Sequence, residues 1–201
     1  MSETKTLQVP EGKVFSPGWS GFTADWFTPR VKHWLQHVVP TVKGRPAQWL
    51  EIGSYEGRSA VWTLEHALTD PGARLTCVDI WLNAEVEARF DANLAEELAG
   101  GRVRKLKGDA VEVLKTLTGP YDVVYVDADH QAKAALIEGL MAFRMLKPGG
   151  ILIFDDYPWQ HPAGTVGKLP PKPGIDAFLT VLQHELTVLH KEWQVIVRKK
   201  G

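Results

Sequence analysis

Apolar residues recur along this chain in two alternating rhythms. Val31, Trp34, Leu35, Val38 and Val39 follow one another at helical spacing, which predicts an amphipathic helix ended by Pro40. Beyond it, short runs of strand-forming residues alternate with longer segments of helical period. In order these are "AQWLEI" and Arg58 to Leu68, "RLTCVDI" and Ala84 to Leu98, "RVRKLKG" and Ala110 to Leu117, and "YDVVYVD" and Gln131 to Leu146. "GGILIFDD" then leads to a helix from Ile175 to His184, and "LTVLHKEWQVIVRK" reads as two strands linked at "HKE". Parallel strands need crossover helices, so the alternation specifies an α/β, doubly wound, mostly parallel sheet covered on both faces. The short terminal link adds an antiparallel hairpin. Between Pro158 and Pro173 the chain is too rich in proline and glycine to be regular, and loops of that length in compact domains are often lids.

Composition narrows the classes of function. A chain of 201 residues suits a single domain. Its 23 Lys and Arg nearly balance its 24 Asp and Glu, so no global field gathers nucleic acid or an anionic membrane. The one cysteine, Cys77, lies in an apolar run and reads as a small core residue. No apolar stretch approaches the roughly 20 residues that span a bilayer, and "MSETKTLQVPEGK" lacks a signal peptide's apolar centre, so a cytoplasmic protein is expected.

Candidate chemistry gathers at the strand ends, where open parallel sheets bind ligands. In "LEIGSYEGRS", Gly53 and Gly57 flank a strand-to-helix turn in which the backbone can approach a ligand. Its G-x-x-x-G spacing is neither the dinucleotide fingerprint nor a phosphate loop. Asp79, one strand-helix-strand unit later, stands where such folds hydrogen-bond a ribose diol. Two acidic pairs, "DADH" and "FDDY", follow the fourth and fifth strands. Neighbouring strands are about 4.8 Å apart, so Asp127 and Asp155 can share a ligand. Carboxylates that close retain a proton or hold a cation, and hard oxygen donors favour Mg²⁺, Mn²⁺ or Ca²⁺. No Cys/His cluster has zinc spacing.

"EIGSYEGRSA", Asp79, "KGDAVEVL", "YDVVYVDADH" and "LKPGGILIFDD" resemble the successive motifs of class I S-adenosylmethionine-dependent methyltransferases, over about Gln48 to Asp156. That resemblance implies a Rossmann-like, seven-stranded sheet, with a lid and helix segment over 1–45 and a catalytic core over 46–201. It also implies that Glu51, Gly53, Tyr55, Gly57 and Ser59 hold the methionine end of the cofactor, Asp79 the ribose, and Asp109 with Ala110 the adenine edge. Asp109 is equally suited to cap the following helix.

The acidic pairs are similar to those of metal-dependent O-methyltransferases of the catechol and macrocin types. By that likeness Asp127, Asp155 and Asp156 hold a divalent cation, Mg²⁺ foremost. Where a lysine often stands, three residues after the first ligand, this chain has His130, placed to act as general base with Asp127 as the alternative. Asp129 reads as a cap or outer residue.

The implied reaction methylates a hydroxyl of a sugar, a catechol-like ring or another small natural product. A metal-independent small-molecule methyltransferase and a catalytically silent cofactor-binding module remain open as alternatives. A nucleic-acid methyltransferase is disfavoured, since no "[ND]PP[YF]" motif follows the fourth strand. Trp19, Trp26 and Trp159 fall in segments suited to a lid or to a contact between copies of the chain, whereas Trp34, Trp49, Trp62 and Trp193 read as core.

Overall fold

The computed structural model describes residues 21–201. After a 3₁₀ turn at Thr28–Arg30 come helices α1 (Val31–His37) and α2 (Val39–Val42). The alternating part follows as β1 (Gln48–Ile52), α3 (Arg58–His66), β2 (Arg74–Asp79), α4 (Ala84–Asn93), α5 (Ala95–Ala99), β3 (Val103–Lys107), α6 (Ala110–Leu114), β4 (Tyr121–Val126), α7 (Ala132–Met145) and β5 (Leu146–Phe154). Helix α8 (Pro171–Val181) and strands β6 (Leu186–Lys191) and β7 (Val195–Lys199) complete it.

The strand order is β3-β2-β1-β4-β5-β7-β6, parallel from β3 to β5 and antiparallel through β7 and β6. This is the doubly wound, mostly parallel sheet that the alternation specified, in the seven-stranded, Rossmann-like form that the resemblance implied. Both faces are buried because successive strand residues point to opposite sides. Trp49, Leu75, Val123 and Ile151 pack with Trp34 and Trp62 of the helices on one face, while Leu50, Val124 and Leu152 pack with Phe143 and Phe178 on the other. No described helix is long and apolar enough to cross a membrane.

Several boundaries differ from the periodicity. Pro40 does not end the first helix region: it sits in the first turn of α2, where its missing N–H leaves no bond unmade. The segment Ala84 to Leu98 is two helices, because Leu94 leaves helical geometry (φ −119°) with its side chain buried. Helix α8 starts at Pro171 rather than Ile175, since Pro171 and Pro173 fall within the first turn, whose amides have no partner inside the helix. The hairpin link is Glu192, Trp193 and Gln194, so "HK" belongs to β6.

Candidate functional site

The carboxyl ends of β1, β2, β4 and β5 open into a cleft of about 1090 Å³. At its floor the chain leaves β1 through Gly53, at φ 89°, whose amide donates to Val78 O at 2.8 Å. A Cβ on Gly53 would lie 2.1 Å from the carbonyl oxygen of Asp127, so the turn after β1 and the turn after β4 touch through backbone alone. Tyr55, also left-handed at φ 47°, donates its amide to Asp79 Oδ2 at 2.9 Å, and Asp79 Oδ1 accepts from Trp81 N at 2.8 Å. These two bonds fix the carboxylate at the rim, and each oxygen keeps a lone pair for a further donor.

Asp109 caps α6, accepting from Glu112 N at 3.1 Å, and with Ala110 it also lines the cleft. Glu51, Gly57 and Ser59 stand behind the glycine turn rather than on the wall. Ser59 Oγ donates to Glu51 Oε1 at 2.9 Å in a buried pair.

Burial pushes the Glu51 carboxyl up to about 8 from an ordinary value of 4.5. The folded state therefore binds this proton more tightly than the unfolded chain does. Stability from this group is complete below about pH 4.5, declines as pH rises toward 8, and levels beyond it. Glu51→Gln keeps an acceptor for Ser59 and removes the titration. Urea melts from pH 5 to 9 should show the variant gaining on the parent as pH rises, by on the order of 3 kcal/mol at pH 9. Equal pH slopes in the two proteins would contradict it.

At the ends of β4 and β5, Tyr125 OH lies between two carboxylates, 2.9 Å from Asp127 Oδ2 and hydrogen-bonded also to Asp155 Oδ2. One hydroxyl proton cannot serve two half-buried anions. Burial first, then the adjacent Asp155 and Asp156, pushes the Asp127 carboxyl well above the usual carboxylate range. Asp155 is raised too, chiefly by burial, but it has more partners: Oδ1 accepts from Asp156 N at 2.7 Å, and Oδ2 from Gln194 Nε2 at 2.8 Å. Gln194 in turn accepts from Trp34 Nε1 of α1 at 2.9 Å.

Asp156, held at φ 53°, points the other way. Its Oδ2 meets His130 Nε2 at 2.6 Å and its Oδ1 accepts from Trp193 Nε1 at 3.0 Å. The Asp156 hydrogen bond outweighs burial and raises the His130 pKa. Asp127, His130 and Asp156 each offer one ligand atom within 4.8 Å of the others. Crowded carboxylates beside an imidazole are a donor set whose repulsion a divalent cation relieves, so the residues fit such an ion. In this arrangement Asp155 is turned toward Tyr125 and Gln194 and stands outside that group. Asp129 is exposed and pairs with Gln131.

Aromatic rings ring the opening. Trp159 lies 4.9 Å from the His130 ring, and Trp26, 69% exposed, lies 5.5 Å from Tyr55. Trp19 lies outside the described residues. Trp34, Trp49 and Trp62 are buried as expected, but Trp193 is not core: it is 39% exposed in the hairpin link and lines the cleft, with the Arg30 guanidinium 4.6 Å from its ring. Sequence reasoning also passed over Tyr125, Gln194 and Glu138. Glu138 of α7 lines the cleft with one carboxylate oxygen buried and unpartnered, and burial pushes it to about 8. An acid on the apolar face of a helix was its only available signal.

The protein family described as "Methyltransferase domain" matches residues 50–157. The catechol O-methyltransferase of Mycobacterium tuberculosis is 32% identical over 108 residues, 53% of this chain and 46% of that protein. The chain spans about half the length of the curated relatives it matches. Among solved structures, an O-methyltransferase from Bacillus cereus in complex with S-adenosylhomocysteine superposes with a TM-score of 0.66 at 20% identity, covering 89% of this chain and 84% of that one. The MycE methyltransferase of the mycinamycin pathway, in complex with Mg, S-adenosylhomocysteine and mycinamycin VI, gives 0.62 at 20% identity, covering 89% and 50%. At such identities the likeness is one of fold.

Proposed function

The chain belongs to the methyltransferase-domain family, and on that footing we propose that it transfers a methyl group from S-adenosylmethionine to a hydroxyl of a small molecule with help from a divalent cation, Mg²⁺ foremost. One observation carries this reading: the donor group Asp127, His130 and Asp156 opens into the same cleft as the Gly53 turn and Asp79, with Gly53 packed directly on the Asp127 backbone. Cofactor and acceptor would thus meet across a single backbone contact.

Gly53 and Tyr55 would flank the methionine end, Asp79 would accept from the ribose hydroxyls, and Asp109 with Ala110 would border the adenine. Glu51, Gly57 and Ser59 would support that turn from behind. Asp127 and Asp156 would hold the cation, with Asp155 steering Asp156 through its amide and able to join them by leaving Gln194. A cation there supplies Lewis acidity that lowers the pKa of a substrate hydroxyl and fixes its direction. With Asp156 holding the cation, His130 would stand beside the substrate hydroxyl as acceptor for its proton, a task an imidazole suits near neutral pH. Asp127 is the alternative acceptor for the proton. Trp159, Trp193 and Trp26 suit a ring-shaped or sugar acceptor, and of the segment 1–45 expected to form a lid, Trp26 and Arg30 would border the acceptor while α1 and α2 belong to the core and residues 1–20 lie outside the described residues.

The reading is tested by chelation. EDTA should abolish methyl transfer to a catechol or sugar acceptor and Mg²⁺ should restore it, while S-adenosylhomocysteine affinity measured calorimetrically changes less than about threefold. Activity that survives EDTA would remove the metal from the mechanism, and failure to bind S-adenosylhomocysteine would remove the cofactor.

A further inference from the structure

Where α1 meets the terminal hairpin, a second group of donor atoms converges on a single point. His33 Nε2 of α1 and His190 Nε2 of β6 lie 3.9 and 4.0 Å from the same carboxylate oxygen, Oε2 of Glu192. Their rings stack at 3.8 Å, and one atom from each of the three residues falls within 4.8 Å of the others. None of the three lines the cleft. The separations are too long for hydrogen bonds, and His190 Nε2 is buried with no hydrogen-bond partner. Burial holds both imidazoles below their usual pKa. At His33, His190 and Lys32 add to this against a weaker pull from Glu192; at His190 burial outweighs the opposing Glu192, and His37 and Lys32 add smaller contributions. At neutral pH both rings therefore carry a free lone pair.

Two neutral imidazoles and a carboxylate about 4 Å apart leave the gap that an ion with bonds of roughly 2.0–2.2 Å fills after small side-chain movements. Glu192 is exposed and free to make them. We propose that His33, His190 and Glu192 bind one transition-metal ion of the Zn²⁺ class, at a site separate from the carboxylate group of the cleft. Imidazole donors suit such an ion, whereas the carboxylates of the cleft suit Mg²⁺. The site ties α1 to the link residue directly before Trp193 and Gln194, which bond to Asp156 and Asp155. Its occupancy would steady the hairpin side of the cleft.

Cobalt reports the site. Co²⁺ titrated into the full chain with excess Mg²⁺ should bind with visible ligand-field bands and be displaced by Zn²⁺. The bands should persist in Asp156→Asn, while affinity falls at least about tenfold in His33→Gln and His190→Gln, the loss seen even for outer partners of metal sites. Absence of Co²⁺ binding, or bands lost in Asp156→Asn and kept in both histidine variants, would overturn the proposal. Glu192→Gln repeats the test on an exposed side chain where folding is not at stake, and unchanged Co²⁺ affinity there would overturn it equally.

Discussion

Gly53→Ala is expected to cost more than about 4 kcal/mol of stability and to abolish S-adenosylhomocysteine binding. Two separate penalties add. At φ 89° alanine pays for a left-handed backbone, on the order of 1 kcal/mol. Its Cβ would also stand 2.1 Å from Asp127 O, 2.4 Å from Asp127 C and 2.7 Å from Ala128 Cα. Those are main-chain atoms of the neighbouring strand's turn, so no rotamer relieves the clash and the ends of β1 and β4 must part. Gly57 is the control. It too is left-handed, at φ 83°, but its Cβ would meet side-chain atoms of Leu94 and Phe90 at 3.1 and 3.2 Å, which can yield. Gly57→Ala should therefore cost only about 1–2 kcal/mol. Urea unfolding compares the pair directly, and a Gly53→Ala protein within 1 kcal/mol of the parent would refute the close approach.

The order of strands and helices was legible because burial on both faces of a parallel sheet leaves dense apolar runs that turns punctuate. What misled the boundaries was proline read only as a breaker. Pro40, Pro171 and Pro173 all sit in first turns of helices, where proline's fixed φ suits the helix and its missing amide is not needed. Chain order does not show whether a proline closes one helix or opens the next.

The acids of the cleft were legible for a related reason: Asp79 ends β2, Asp127 and Asp155 directly follow β4 and β5, and strand ends mark the binding edge. Their orientations were not. Asp155 and Asp156 are adjacent in sequence, yet the φ of 53° at Asp156 sends one carboxylate to Tyr125 and Gln194 and the other to His130 and Trp193. Trp193 and Gln194 come from the far end of the chain, where an alternating strand pattern made the tryptophan look like core. Only the antiparallel pairing of β7 with β5 brings the hairpin link beside the acids. Tyr125 was hidden by its apolar neighbours, since a strand tyrosine reads as core until its hydroxyl is seen between two carboxylates.

Asp127→Asn should separate stability from activity. The side chain keeps its shape, and an amide oxygen still accepts from Tyr125 OH, so the packing at the end of β4 has no reason to change. What disappears is a half-buried acid whose pKa is raised by desolvation and by the nearness of Asp155 and Asp156. Removing one of three crowded carboxylates relieves repulsion, and the variant is expected to be as stable as the parent or more so, by about 1 kcal/mol. Methyl transfer should nevertheless fall roughly 10²–10⁴-fold, the range of a lost general base, because the same carboxylate is both a proposed cation ligand and a proton acceptor. Affinity for S-adenosylhomocysteine should hold, since Asp127 meets the glycine turn through its backbone and not its side chain. A variant that keeps its rate within threefold of the parent would take Asp127 out of the chemistry. One that loses stability and rate together would make it a structural residue, with the repulsion read from its neighbours already neutralised by shared protons.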